Sequence, residues 1–361
     1  MCDIAVQTSS QDDTDTFETR LVQALNQSGL MLLISIGHRT DLLSALAGTP
    51  PLTSQALAER TDLNERYVRE WLGGMVAGNV IETDPETATY WLPDERAELL
   101  TDTGPVNLAV YAQFIALLGS VEDDVVRCFR EGGGVPYSRY PRFHEVMASD
   151  SGQTVLPALF DQILPLAPGL TERLDKGIRV LDCACGRGKA LMAMAERFPA
   201  SRFVGYDLSA EAIDWARRQT ADAGLTNLTF EVRDLSDFDV TAEPDAFDLV
   251  TTFDGIHDQA RPRNLLKGIH RTLTAEGTYL VQDIHGSSHH HLDSGHPLGA
   301  MLYAVSVSHC MTVSLAQGGD GLGTMWGRER ALAYLEEAGF RDIQVHQLEH
   351  DIMNDYYVCR P

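Results

Sequence analysis

From about residue 175 onward, short apolar runs alternate with amphipathic stretches along the chain. Runs of strand length fall at 178–184, 202–207, 228–233, 247–253, 277–284, 342–348 and 355–360, and segments of helical period fill 187–198, 209–223, 261–275 and 328–339. Strands alternating with helices predict parallel pairing in a doubly wound α/β sheet. The last two strands have no helix between them, so a terminal hairpin and one reversed strand are expected.

The earlier part of the chain is patterned differently. Residues 1–15 are polar and acidic and are expected to form a disordered tail. Residues 16–105 carry a helical pattern: Leu52–Leu63 reads as helix then turn, Asn64–Ile81 as a second helix capped by Asn64, and ETDPETATYWLP as a wing-like hairpin. Residues 106–165 read as linker helices, with Val110, Phe114, Leu117 and Val121 at packing spacing, and as a Gly-rich loop, EGGGVPYSRYPRFHEVM. That loop carries the rings of Tyr137, Tyr140 and Phe143 and is expected to act as a lid. Residues 166–361 form the α/β domain.

Charge removes several partners. The chain of 361 residues has a formal net charge of −24, which disfavours nucleic acid and acidic membrane surfaces. Within 1–105, 17 acids face 6 bases, and the second helix of the pair offers Glu65 and Glu70 beside Arg66 and Arg69. A DNA reader shows a basic footprint, so dimerisation is the expected role of this segment. No apolar run of 18 residues is present, and the N-terminus reads as neither signal peptide nor anchor. Six scattered cysteines without a disulfide framework fit a cytoplasmic protein.

The densest signal is Ile178–Gly188, IRVLDCACGRG: a strand ending in an acid, then a turn of small residues leading into a helix. The next strand ends in Asp207, nineteen residues after Gly188. A strand, glycine turn, helix and second acid form the first half of a nucleotide-binding sheet, in which that acid takes the two ribose hydroxyls. Neither phosphate loop fits. GxxxxGK[ST] fails because Cys183 replaces its first glycine and Ala190 follows Lys189, and GxGxxG fails at Leu191.

This turn resembles motif I of class I S-adenosylmethionine-dependent methyltransferases, D-x-G-x-G-x-G, with Asp182, Gly186 and Gly188 in place and Ala184 for the first glycine. Together with the winged helix, the GGGVPYS loop, HDQARP and GLGTMWG, the pattern is similar to bacterial stand-alone small-molecule methyltransferases of mycobacterial type with an N-terminal winged-helix dimerisation domain, over roughly residues 20–361. The resemblance implies a seven-stranded Rossmann-like methyltransferase sheet, a homodimer, and S-adenosylmethionine as cofactor with S-adenosylhomocysteine as product. Asp182, Ala184, Cys185, Gly186 and Gly188 would face its methionine part, Asp207 and Leu208 the ribose, and Asp234 and Leu235 the adenine. Phe253, Tyr137 and Phe143 complete the implied cofactor set.

The stretch GIHDQARPRNLLKGIHRTLTAEG resembles the HDW…LL…L…G segment of winged-helix O-methyltransferases, with Gln259 where tryptophan stands. It implies His257 as general base, with Asp258 beside it, because imidazole titrates near neutrality and can take a hydroxyl proton. The insert 282–327 is rich in histidine. His285 and His289 have a workable ligand spacing, yet no further donor pattern completes a metal site, and no metal is expected. The insert is expected to roof the acceptor pocket, with His285, Tyr303, His309 and Trp326 as its substrate residues and Met301 and Met311 helping to shape it. The acceptor is a small molecule carrying a hydroxyl, phenol or thiol; a thiol would not need the base. The alternative from another class is an S-adenosylmethionine-sensing transcription regulator.

Overall fold

The computed structural model describes residues 16–361; the expected disordered tail, 1–15, lies outside the described residues. The chain divides into two compact units that part between Ala116 and Leu117. In the first unit, α1 (Phe17–Arg39) and α2 (Leu42–Leu46) precede the strand β1 (Leu52–Thr53), α3 (Ser54–Thr61) and α4 (Glu65–Ala77). The hairpin β2 (Glu82–Asp84) and β3 (Thr89–Trp91) and then α5 (Asp94–Leu100) follow. Asn64 caps α4 by accepting from the Arg66 amide, and Thr53 caps α3 in the same way. Helix α3 starts at Ser54 rather than Leu52 because Leu52 and Thr53 pair with Tyr90 and Thr89 of the wing. Helix α4 stops at Ala77 because Gly78 and the left-handed Asn79 turn the chain.

The unit closes around Leu43, Leu46, Leu57, Leu72, Trp71 and Met75. The Trp71 indole donates to the Leu33 carbonyl at 2.8 Å, and a side chain at Gly37 would meet that ring at 2.4 Å. Close contact of α1 with α4 therefore requires glycine there.

Helix α6 (Ala109–Gly119) runs across the division between the units. From Leu117 onward the chain belongs to the second unit. There, α7 (Glu122–Glu131), the Gly-rich loop, α8 (Phe143–Thr154) and α9 (Leu170–Lys176) precede the sheet. The sheet elements are β4 (Arg179–Cys183), α10 (Lys189–Arg197), β5 (Arg202–Asp207), α11 (Ala210–Asp222), β6 (Leu228–Val232), α12 (Phe238–Thr241) and β7 (Phe247–Phe253). After α13 (Pro262–Thr272) and β8 (Leu273–Ile284) comes the insert, with α14 (Gly299–Val305) and α15 (Met311–Ala316), then α16 (Arg328–Ala338), β9 (Asp342–Leu348) and β10 (Asp351–Arg360).

The strand order is β6-β5-β4-β7-β8-β10-β9, with β10 antiparallel to both neighbours. The reversed strand expected from the helix-free hairpin is present. Strand β8 starts at Leu273, earlier than its apolar run suggests, because Leu273 pairs with Phe247 across a bulge. One core, including Leu191, Phe198, Phe203 and Ile213, and a second, including Leu181, Leu265, Ile269 and Tyr279, bury the sheet.

The insert's helical run Gly299–Ala316 is long and apolar enough to cross a membrane by length and composition, with 44% of it buried. Here it packs inside the second unit, with Leu302, Cys310 and Val313 buried.

Parallel register brings the ends of β4, β5 and β7 side by side, with Asp182 opposite both Gly205 and Thr251. Contact between the first turn and the second strand is tight: a side chain at Gly205 would meet the Phe230 ring at 2.5 Å and the Cys185 sulfur at 2.9 Å. Gly205→Ala should therefore destabilise the second unit by about 1–3 kcal/mol through overpacking, read as a lower urea midpoint at unchanged m-value.

Candidate functional site

The turn after β4 is built from backbone conformations that favour glycine. Gly186 and Gly188 have φ of 54° and 64°, and Ala184, in the same left-handed region at 56°, is an alanine where glycine would be unstrained. The Asp207 carboxylate holds the turn. One oxygen accepts from the Gly186 amide and the other from the Ser209 amide, both at 2.8 Å. Ser209 itself caps α11, so Asp207 serves the turn and Ser209 the helix. Behind the turn, Asp182 is buried and accepts from the Thr251 hydroxyl at 2.8 Å. Burial pushes its pKa up to about 7, with the Thr251 hydrogen bond opposing.

These tips open into a crevice of about 240 Å³. Asp182, Ala184, Cys185, Gly186, Gly188, Asp207, Leu208, Asp234, Leu235, Phe253, Tyr137 and Phe143 all line it. Asp234 is exposed and accepts from the Ser236 amide at 2.8 Å, a turn contact, while Leu235 is buried beneath it. Residues that the sequence pattern passed over also face the crevice: His144, Met147 and Ser151 on α8, and Asp254 just after β7. Burial raises the Asp254 pKa to about 8, with the His257 charge opposing.

The catalytic candidates divide. Asp258 lines the crevice, where it accepts from the Tyr137 hydroxyl at 2.5 Å and from the Gln259 amide at 3.0 Å. It thus ties the Gly-rich loop to the loop after β7. That Gly-rich segment is also fixed by the Val135 amide on the Thr312 hydroxyl and by the Tyr140 hydroxyl on the Ser308 carbonyl.

His257 lies off the crevice lining and is 3% exposed. Its partner is Asp283, at the end of β8, with Nδ1 2.8 Å from the carboxylate, while Asp254 stands 3.8 Å away. The acid adjacent in sequence is therefore not the one that holds the imidazole. Burial, the largest single effect, lowers the His257 pKa, but the Asp283 carboxylate and Cys310 together outweigh it, and the pKa stands well above the ordinary value. Asp254, His257 and Asp283 bring three donor atoms within 4.8 Å of one another, the one such group among the described residues. The hydrogen bond already occupies the His257–Asp283 edge of that triangle.

The four substrate residues drawn from the insert are not gathered in one place. The Trp326 indole is buried and donates to Asp283 at 3.0 Å, holding the carboxylate. Tyr303 donates to Asp293. His285 pairs with Asp355 at 3.1 Å and lines a separate hollow with His296, Arg328 and Gln347. His309 is buried against Phe143. The one signal that could have found Asp283 is the same one used elsewhere, an acid closing a strand (VQDIH).

Residues 28–102 match the family described as Rv2258c-like winged HTH domain, and residues 174–339 match the methyltransferase domain family. A curated relative from Mycobacteroides abscessus, named 2-heptyl-1-hydroxyquinolin-4(1H)-one methyltransferase, is 42% identical over 59 residues, 16% of this chain and 25% of that protein. An uncharacterized methyltransferase from Synechocystis is 30% identical over 117 residues, 32% of this chain and 51% of that protein. The chain thus spans about a quarter to a half of these curated relatives' length. Among solved structures, a putative O-methyltransferase from Nostoc punctiforme superposes with a TM-score of 0.72 at 20% identity, covering 96% of this chain and 100% of the other. Human N-acetylserotonin methyltransferase, solved with SAM, gives 0.68 at 18% identity, covering 96% and 99%.

Proposed function

Because this chain joins a winged helix-turn-helix domain to a methyltransferase domain, we propose that it is an S-adenosylmethionine-dependent methyltransferase acting on a small-molecule acceptor. The observation that carries this is the acidic crevice at the strand tips. Asp182, Asp207, Asp234, Asp254 and Asp258 face it, whereas its cationic side chains are engaged: Arg187 with Glu211, Lys189 with the Ala148 carbonyl, and Arg233 over the Tyr206 ring. A phosphate would meet these carboxylates as like charges, while a sulfonium bearing an ammonium group suits them.

In this assignment Asp182, Ala184, Cys185, Gly186 and Gly188 hold the methionine part, Asp207 and Leu208 the ribose, and Asp234 and Leu235 the adenine, with Phe253, Tyr137 and Phe143 closing over them. The bound cofactor supplies an already activated methyl group. What the protein adds is alignment, worth up to ~7–11 kcal/mol, and removal of the acceptor proton.

His257 is the base. A carboxylate only accepts, so Asp283 fixes the proton on Nδ1, and above the raised imidazole pKa Nε2 is open to take one from an acceptor hydroxyl. The Mycobacteroides relative, named for a hydroxyquinolone substrate, favours a hydroxyl or phenol over a thiol. Asp258 acts as a latch for the loop. A regulator reading DNA through α4 is less well supported, because Arg66 and Arg69 are ion-paired with Glu70 and Glu65. A cytoplasmic setting belongs to the same proposal and rests on scattered free thiols at Cys128, Cys183, Cys185, Cys310 and Cys359.

Homodimerisation through the first unit is supported by helix α1, where Phe17, Leu21, Val22 and Leu25 are 69%, 55%, 63% and 76% exposed. Such an apolar face on one helix needs a cover, and a second copy of the same helix supplies one.

Calorimetry should register saturable binding of S-adenosylmethionine and S-adenosylhomocysteine, weakened at least about tenfold by Asp207→Ala, a change that removes ribose acceptors and frees the Gly186 turn. No heat from either compound would end the proposal. His257→Ala should cut turnover of a hydroxyl acceptor by roughly 10²–10⁴ with cofactor affinity retained. In Asp283→Asn the acid limb of the kcat–pH profile should move to lower pH, because removing the carboxylate charge lowers the imidazole pKa; an unmoved limb would remove the pair from the mechanism. Light scattering should give a dimer mass for the native chain and a monomer mass for Leu21→Glu/Leu25→Glu.

A further inference from the structure

Among the described residues, His309 is the side chain whose two polar atoms are both buried without a hydrogen-bond partner. It is 1% exposed and sits on a π-helical turn, Ser306–Cys310, between α14 and α15. Single π-helical turns inserted in a helix gather at functional sites, and an unsatisfied buried imidazole is costly enough to need a reason. Its neighbour in sequence, Cys310, is buried close enough to His257 to perturb it electrostatically, so His309 lies one residue from a neighbour of the base.

What faces His309 is a flat ring. Phe143 stacks on the imidazole with centroids 3.7 Å apart and planes 15° from parallel, and Tyr140 and Tyr137 stand edge-on at 4.7 and 5.4 Å. Both tyrosines are fixed by hydrogen bonds, to Ser308 and Asp258; Phe143 has no polar tether. Phe143 also lines the cofactor crevice, so one side chain touches both sites. Before it, Arg142 adopts a left-handed φ of 65°, a conformation that costs a non-glycine residue energy.

We propose that His309 is a specificity residue for the acceptor: a planar aromatic compound with a second polar group, a carbonyl, hydroxyl or ring nitrogen, takes the place of Phe143 against the imidazole and hydrogen-bonds to one of its free nitrogens. This rests on the methyltransferase function proposed above. Phe143 is then the plug that fills the slot until the acceptor arrives. An aliphatic acceptor offers no face for the stack, and a plain arene leaves the imidazole unsatisfied. Burial, with the charges of His257 and His144 adding, holds His309 neutral, so it presents one donor and one acceptor nitrogen.

The test uses the full chain saturated with S-adenosylhomocysteine and three probes: 7-hydroxycoumarin, 2-naphthol and decahydro-2-naphthol. Native protein should bind the first most tightly and the last least. His309→Leu should weaken 7-hydroxycoumarin by about tenfold, a hydrogen bond's worth, while 2-naphthol and S-adenosylhomocysteine change less than about twofold. Phe143→Ala should tighten both aromatic probes, since no plug has to leave, and it carries the test if His309→Leu does not fold. Equal binding of 2-naphthol and its saturated analogue, an unchanged 7-hydroxycoumarin to 2-naphthol ratio in His309→Leu, or no aromatic binding despite bound S-adenosylhomocysteine would each overturn the proposal. Failure to bind S-adenosylhomocysteine at all would instead overturn the methyltransferase function beneath it.

Discussion

The second unit depends on one carboxylate bridging two strand tips. Asp207 closes β5 and accepts amides from Gly186, in the turn after β4, and from Ser209, at the start of α11. With both oxygens used, the first turn cannot drift from the second strand, and the crevice wall is fixed before any ligand arrives. The glycines make the bridge possible: at Gly188 and Gly205 a side chain would collide with the Phe230 ring. Further along, a side chain at Gly255 would come within 2.8 Å of the Ala184 methyl. That close approach joins the first turn to the loop that carries Asp254, His257 and Asp258.

Around that frame the structure keeps carboxylates where water is scarce. Burial raises the pKa values of Asp182 and Asp254 into the neutral range, a cost that a cationic ligand would relieve by stabilising their ionised forms. Deeper in, Asp283 spends one oxygen on three donors: the His257 ring, the Trp326 indole and the Ile284 amide. Its orientation, and with it that of the imidazole, is therefore set by packing on three sides.

The Gly-rich segment couples these regions. It is pinned to α15 through Val135 and Thr312, to the π-helical turn through Tyr140, and to the crevice through Tyr137 and Asp258. Gly134 can have no side chain, because one would lie 2.0 Å from the Thr312 carbonyl. The glycine run thus provides close contact at Gly134 and positive φ at Gly132 and Gly133.

Alternation of apolar runs with helical periods determined the sheet, and the helix-free hairpin at the end determined its reversed strand, because side-chain periodicity is a local property of the chain. The crevice residues were legible for a related reason: in such a sheet the turns after parallel strands meet at one edge, so an acid or glycine at a tip is placed by topology alone. Tertiary structure decided what depends on contacts between distant segments. It chose Asp283, 26 residues away in sequence, over adjacent Asp258 as the partner of His257, and turned Trp326 inward to hold that carboxylate. It laid α8 along the crevice, with His144 and Met147 facing in. It also scattered the insert's histidines among separate partners, since the direction a side chain takes from an irregular segment is set by what packs against it and leaves no period to read.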